Sequence, residues 1–116
     1  MVKNLPAKIA AMVKRLGGKV VKDVNAGNRQ HMSFEFDNAD DAWQVYQELL
    51  ARRPKRHLLG LPILRPHVFV EMEVEKHRVT NIVLVARVHV RGHTETGRKF
   101  VKELREHHKR IGGRKK

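Results

Sequence analysis

Apolar residues recur along the chain first at helical spacing and then in alternation. Leu5, Ile9, Met12, Val13 and Leu16 repeat every three or four positions before Gly17 and Gly18, while Lys8, Lys14 and Arg15 fall on the other side. That spacing predicts an amphipathic helix over 4–16, with Asn4 as N-cap, Pro6 in its first turn and a glycine stop. A hairpin follows: a Val-rich strand over 19–24, a turn over 25–28, and a strand over 30–36 in which Met32, Phe34 and Phe36 alternate with His31, Ser33 and Glu35. Val20 and Val24 point one way and Val21 the other, so the register of the first strand stays open.

Asn38 then caps a second helix, with Asp40 and Asp41 beside its positive start and Ala42, Val45, Tyr46 and Leu49 as its buried stripe. Trp43 and Leu50 lie at the edge of that stripe, and the helix ends before Pro54. The basic connection 52–57 leads into 58–66, which is apolar but too rich in Gly and Pro for a regular element. Such a segment folds back over the core or meets another subunit, because a monomer rarely exposes that much apolar surface.

The second hairpin alternates more cleanly. Val68, Val70, Met72 and Val74 face one way, and Phe69, Glu71, Glu73 and Glu75 the other. With a turn near 76–78, Ile82, Leu84, Ala86, Val88 and Val90 take the core side, setting Val70 opposite Leu84 and Phe69 opposite Val85. A last helix starts near Thr94 or Thr96, buries Phe100, Val101, Leu104 and Ile111, and stops at Gly112 and Gly113. Its polar side receives Arg98, Lys99, Lys102, Arg105, Lys109 and Arg110. The expected fold is α+β: a four-stranded antiparallel sheet with three helices on one face, in the order α-ββα-ββα. Residues 1–113 form one domain, and 114–116 a basic tail.

Composition narrows the class. The 116 residues contain no cysteine, so disulfide and thiolate-metal frameworks are out. No apolar run approaches the roughly 18 residues of a membrane span. The stretch from Leu5 to Leu16 is broken by lysine and arginine and lacks a small-residue cleavage site, so no signal peptide is expected. These readings point to a cytoplasmic protein without a membrane partner. The 25 Lys and Arg against 12 Asp and Glu leave a formal charge of +13. Such an excess repels itself unless a polyanion is the usual partner, and heat adaptation alone would bring glutamate along with lysine. Nucleic acid is the leading candidate.

If the helices cover one face of the sheet, the other face collects Phe69, Val83, Val85, Arg87, His89 and Arg91, joined by His31 and Ser33, with Arg29 as a further candidate. Apolar and aromatic groups there could stack on bases while the cations follow phosphates. Arg52, Arg53, Lys55 and Arg56, with Arg65 beyond them, form a second cationic cluster. A solvated face, a helix end or a dimer interface would account for the same residues without nucleic acid, and Glu71, Glu73 and Glu75 favour that reading at the far end of the strand. No helix-turn-helix, zinc module or basic zipper is present, so sequence-specific duplex reading is not expected.

Catalytic and metal motifs are likewise missing. His89 and His93 are separated by Gly92 and a strand end, and the adjacent His107 and His108 point in different directions on a helix. Neither a phosphate loop nor a nucleophile elbow occurs. No enzyme, cofactor or metal is expected.

Two resemblances add to this reading. The run Arg29-Gln30-His31-Met32-Ser33-Phe34-Glu35-Phe36 followed by Asn38-Ala39-Asp40-Asp41-Ala42 resembles the third strand and second helix of an RNA-recognition motif. It departs from that family in placing His31 and Ser33 where stacking aromatics belong, and in its element order. In length, charge, element order and composition the chain is similar to the DNA-binding domain of the ThermoDBP and ThermoDBP-related proteins, single-stranded DNA-binding proteins of heat-loving archaea. Without a long C-terminal zipper, it is nearer the related groups. That similarity implies binding with little sequence preference and a homo-oligomer contacting DNA through a cleft or between subunits. Leu58, Leu59, Leu61, Ile63 and Leu64 would then suit subunit contact. The expected function is non-enzymatic binding of single-stranded DNA. The alternatives are a ribosome-associated or structural RNA-binding protein, and an oligomeric protein-interaction module.

Overall fold

In the computed structural model, residues 5–54, 57–58, 61–62 and 66–113 are described, with 57–58, 61–62 and 111–113 as backbone only. The elements are α1 (Leu5–Arg15), β1 (Lys19–Ala26), β2 (Arg29–Phe36), α2 (Ala39–Arg52), β3 (His57–Leu58), β4 (Leu61–Pro62), β5 (Val68–Lys76), β6 (Val83–Gly92) and α3 (Glu95–Gly113). Three helices and a four-stranded antiparallel sheet in the order α-ββα-ββα match the pattern read from the residues. The strand order is β1-β2-β6-β5, so the two hairpins join through β2 and β6.

Local chemistry sets the ends of the helices. Gly17 closes α1 at a φ of 77°, a conformation glycine adopts at no steric cost. The next residue has no room for a side chain, since a Cβ on Gly18 would lie 2.6 Å from the Phe36 ring. Asn38 caps α2 by accepting from the Asp41 amide at 2.9 Å, and Thr94 caps α3 by accepting from the Gly97 amide at 3.1 Å. The proposed Asn4 cap, the side chain of Ile111 and the tail 114–116 lie outside the described residues.

Met32, Phe34 and Phe36 of β2, Val68 and Val70 of β5, and Ala86, Val88 and Val90 of β6 pack against Ile9, Val13, Val45, Leu49, Phe100, Val101 and Leu104 of the helices. Each large side chain buried this way stabilises the fold by about 1.5–3 kcal/mol. No helix among the described residues is long and apolar enough to cross a membrane.

Several details differ from the sequence expectation. The β5–β6 register places Val70 opposite Val90 and Phe69 opposite Arg91, six residues beyond the predicted partners. The tight turn expected at 76–78 gives way to a wider loop, in which the His77 amide donates to the Ile82 carbonyl and Asn81 sits at a φ of 62°. Because the shift is even, residues 85–91 keep their faces, but an irregularity between Glu75 and Lys76 skips Leu84 and pairs Val83 with Lys76, on the same side of the sheet as Val74 rather than on the open face. Ile82 and Leu84 nevertheless run past the helix layer and are exposed. A bulge in β1 resolves the ambiguous first strand: Val20 opposes Phe34, but Lys22 opposes Ser33. The extra residue reverses the alternation, so Val20 lies on the core face and Val24 on the other.

Arg105 also departs from expectation. It is 3% exposed and reaches from α3 to the edge strand, donating to Asp23 Oδ1 at 2.7 Å, Gln30 Oε1 at 2.7 Å and the Val24 carbonyl at 2.9 Å. The segment expected to be irregular instead pairs with itself, His57 opposite Pro62 and Leu58 opposite Leu61. The side chains of Leu58, Leu59, Leu61, Ile63 and Leu64 lie outside the described residues.

Candidate nucleic-acid interface

The face of the sheet opposite the helices carries two different surfaces. Toward the β5–β6 loop, cross-strand pairing sets Arg87 between Glu35 and Glu73. Its guanidinium meets Glu35 at 3.1 Å, Glu73 at 3.4 Å and Glu75 at 3.0 Å. Hydrogen bonding to Glu75, with the Glu35 and Glu73 charges adding to it, raises its pKa above the ordinary arginine value. Three carboxylates thus occupy the cation expected to hold phosphate. Val85 lies at the same end, partly buried and opposite Glu75, whereas Val83, expected beside it, pairs with Lys76 and falls on the other side of the sheet.

A polar chain crosses the middle of the face. Ser33 Oγ lies 3.1 Å from His31 Nε2 and 2.6 Å from His89 Nδ1, and His89 Nε2 lies 2.8 Å from Glu73. Every group is satisfied if His31 donates through Nε2, Ser33 donates to His89 Nδ1, and His89 donates through Nε2 to Glu73. The connectivity is that of a nucleophile, base and orienting acid. Ser33, however, is 1% exposed, its hydroxyl is capped by two imidazoles, and it sits mid-strand where backbone amides serve the ladder. That leaves no room for a carbonyl substrate beside the hydroxyl and no free amide pair to stabilise an oxyanion.

The opposite end of the face is cationic. Lys22, Asn28, Arg29, Gln30, His31, Arg91, Gly92, His93 and Arg98 line a cleft of about 360 Å³ between the β1–β2 turn and the β6–α3 junction. No carboxylate lines it. Among the described residues, Lys22, Arg29 and Arg98 form no ion pair, and Arg91 approaches Glu71 only at 3.5 Å. Burial, followed by the charges of Lys22, His89, Arg91 and Arg29, lowers the pKa of His31 to about 4. At neutral pH this histidine is therefore uncharged; burial is the leading cause of its shift, and the cations around it add to that effect.

Phe69 borders this region. It is partly exposed, in an edge-to-face pair with the His93 ring at 4.5 Å between centroids and with the Arg91 guanidinium 5.6 Å over its ring. This exposed aromatic area lies beside the cations, where a base could stack. The junction behind is tight: a Cβ on Gly92 would lie 2.6 Å from the Arg98 amide nitrogen, so the strand end and helix start touch.

The structure brings Arg29, His31 and Arg91 together with Phe69, and His89 joins them through Ser33 and through an edge contact with the His31 ring, centroids 5.8 Å apart. Arg87 is bound to carboxylates, and along β6 Val85 lies about 20 Å and Val83 about 26 Å from Arg91. Arg52 sits on the helix layer, where it pairs with Glu48 at 2.7 Å beside Lys8. Arg53 donates to the Val68 carbonyl at 2.9 Å, tying α2 to β5. Lys55, Arg56 and Arg65 lie outside the described residues. Sequence reasoning missed Lys22, Asn28, His93 and Arg98 as cleft residues. Lys22 faces the cleft because of the bulge, and Arg98 reaches it from the first turns of α3, where the sequence pattern shows only one more cation on a polar side. Comparison with known proteins gave no matching family model, no matching curated protein and no matching solved structure.

Proposed function

We propose that this chain is a non-enzymatic, cytoplasmic protein that binds single-stranded nucleic acid, most readily DNA, with little sequence preference. The observation that carries the reading is the cleft, where Lys22, Arg29, Arg91 and Arg98 converge without a lining carboxylate. Cations around a concavity, three of them without an ion pair among the described residues, attract phosphates, and Phe69 beside them offers a platform for one base. A duplex would have to fit its rigid width to a corner of the sheet. A single strand can bend its phosphates into the cleft and turn a base onto the ring.

Fluorescence anisotropy with labelled single-stranded DNA, duplex DNA and structured RNA tests the proposal. Tightest binding to the single DNA strand, weakening steeply with salt, is the expected result. Equal or stronger binding of duplex overturns the strand preference, and a preference for structured RNA favours the ribosomal alternative. Absence of binding to all three at low salt removes the function.

A second surface supports self-association. Val74, Val79, Ile82 and Leu84 are exposed around the far end of the β5–β6 hairpin, Val79 at 84%. Apolar side chains gathered in this way fit contact between copies or with another protein. Light scattering of the protein alone, compared with an Ile82→Lys variant, reads this directly: a monomer in both removes the interface.

A further inference from the structure

On the nucleic-acid reading just given, we infer that the cleft takes the terminal phosphate monoester of a strand in preference to an internal phosphodiester. Charge is the first argument. An internal phosphate carries one negative charge, whereas a terminal monoester carries about 1.5–2 at neutral pH and presents three acceptor oxygens. Four permanent cations surround one concavity here, three of them arginines suited to paired hydrogen bonds with phosphate oxygens. That concentration exceeds what a single diester can neutralise.

Shape is the second argument. The β6–α3 junction closes the cleft on one side, where Gly92 is packed against the Arg98 backbone. A strand continuing from the cleft along the open face would run toward Glu71, Glu73, Glu75 and Glu35. These four carboxylates outnumber the two arginines they pair with, Arg87 and Arg91, so the stretch stays net negative and repels a second run of phosphates rather than guiding it. The face therefore admits the end of a strand and turns the rest away. A volume of about 360 Å³ accommodates a phosphate with its sugar, and Phe69 stands where the first base can rest.

Short DNA strands of one sequence, internally labelled and bearing a 5′-phosphate, a 3′-phosphate or hydroxyls at both ends, distinguish the sources of the terminal group. One phosphorylated strand is expected to bind about tenfold more tightly than the hydroxyl strand, equivalent to one added charge-assisted hydrogen bond. The ratio shrinks as pH falls through about 6, where the monoester loses its second charge. Arg29→Ala and Arg98→Ala each bring it toward one, whereas Lys102→Ala, on the exposed side of α3, preserves it. Inorganic phosphate competes away the preference. Equal affinity for all three strands overturns the inference while leaving single-strand binding in place, and so does a preference that survives both arginine substitutions in folded protein. Failure of every strand to bind overturns this inference and the proposed function together.

Discussion

Replacing Arg29 and Arg98 together by alanine isolates the cationic cleft from the rest of the positive charge. Four cations line the cleft, and single strands release about 0.7 counterion per phosphate neutralised. Neutralising the roughly two charges of a terminal phosphate gives a log–log salt slope of about −1.4, so affinity falls about sevenfold between roughly 50 and 200 mM salt. With half of the cations removed, the slope becomes about −0.7 and the fall about threefold. Neither substitution should unfold the chain. Arg29 is exposed, and Arg98 makes only a long bond, 3.4 Å, to the His93 carbonyl. Anisotropy titrations across a salt series measure the slope, with circular dichroism as the check on folding. Arg87→Ala is the contrasting variant, since its guanidinium is already neutralised by three carboxylates. An unchanged slope in the double variant, or an equal loss in Arg87→Ala, refutes the assignment of binding to the cleft.

Three further outcomes follow from the geometry. Arg105→Met removes three hydrogen bonds and strands the buried Gln30 oxygen, so stability should fall by about 3 kcal/mol in urea denaturation; a loss below about 1 kcal/mol would show the network to be dispensable. Gly97→Ala drives a methyl into the His67 carbonyl and should lower stability by about 3 kcal/mol in the same assay, with a native-like midpoint as the contrary result. His31 should titrate by NMR near pH 4 in the free protein and move toward its ordinary value of 6.5 when an oligonucleotide is bound. Because its folded pKa is depressed, its contribution to stability is complete above about 6.5 and is lost as pH falls toward 4, roughly 1 kcal/mol after solvent screening. A midpoint near 6.5 without ligand would contradict the burial and the local positive field.

Spacing along the chain was enough to place the helices and to sort most strand residues by face. Period-two alternation in 30–36 and 68–75, the Asn38 cap and the glycine stop after α1 are local signals, and the structure retains each. Features that depend on cross-strand neighbours were not legible. Arg87 reads as a free cation until register sets Glu35 and Glu73 on either side of it. Lys22 reaches the cleft through a bulge that no periodicity announces. Arg105 looks like one more cation on a polar stripe, and only the tertiary placement of Asp23 and Gln30 explains why its charge is buried. The cleft itself combines a turn, two strand ends and a helix start, which approach one another only once the two hairpins have joined.

The irregularity between Val20 and Lys22 also governs what happens at the margin of the sheet. A flat outer strand invites another chain to continue the ladder, and a row of copies could then grow without limit. Here a newcomer aligned on β1 would lose register at the kink, beside lysines that repel its own. At the opposite margin, the start of β5 is engaged by Arg53, and glutamates at 71, 73 and 75 would confront their counterparts. Open-ended polymerisation is thereby discouraged at both sides, and a chain this basic can crowd onto a polyanion without fusing into fibrils.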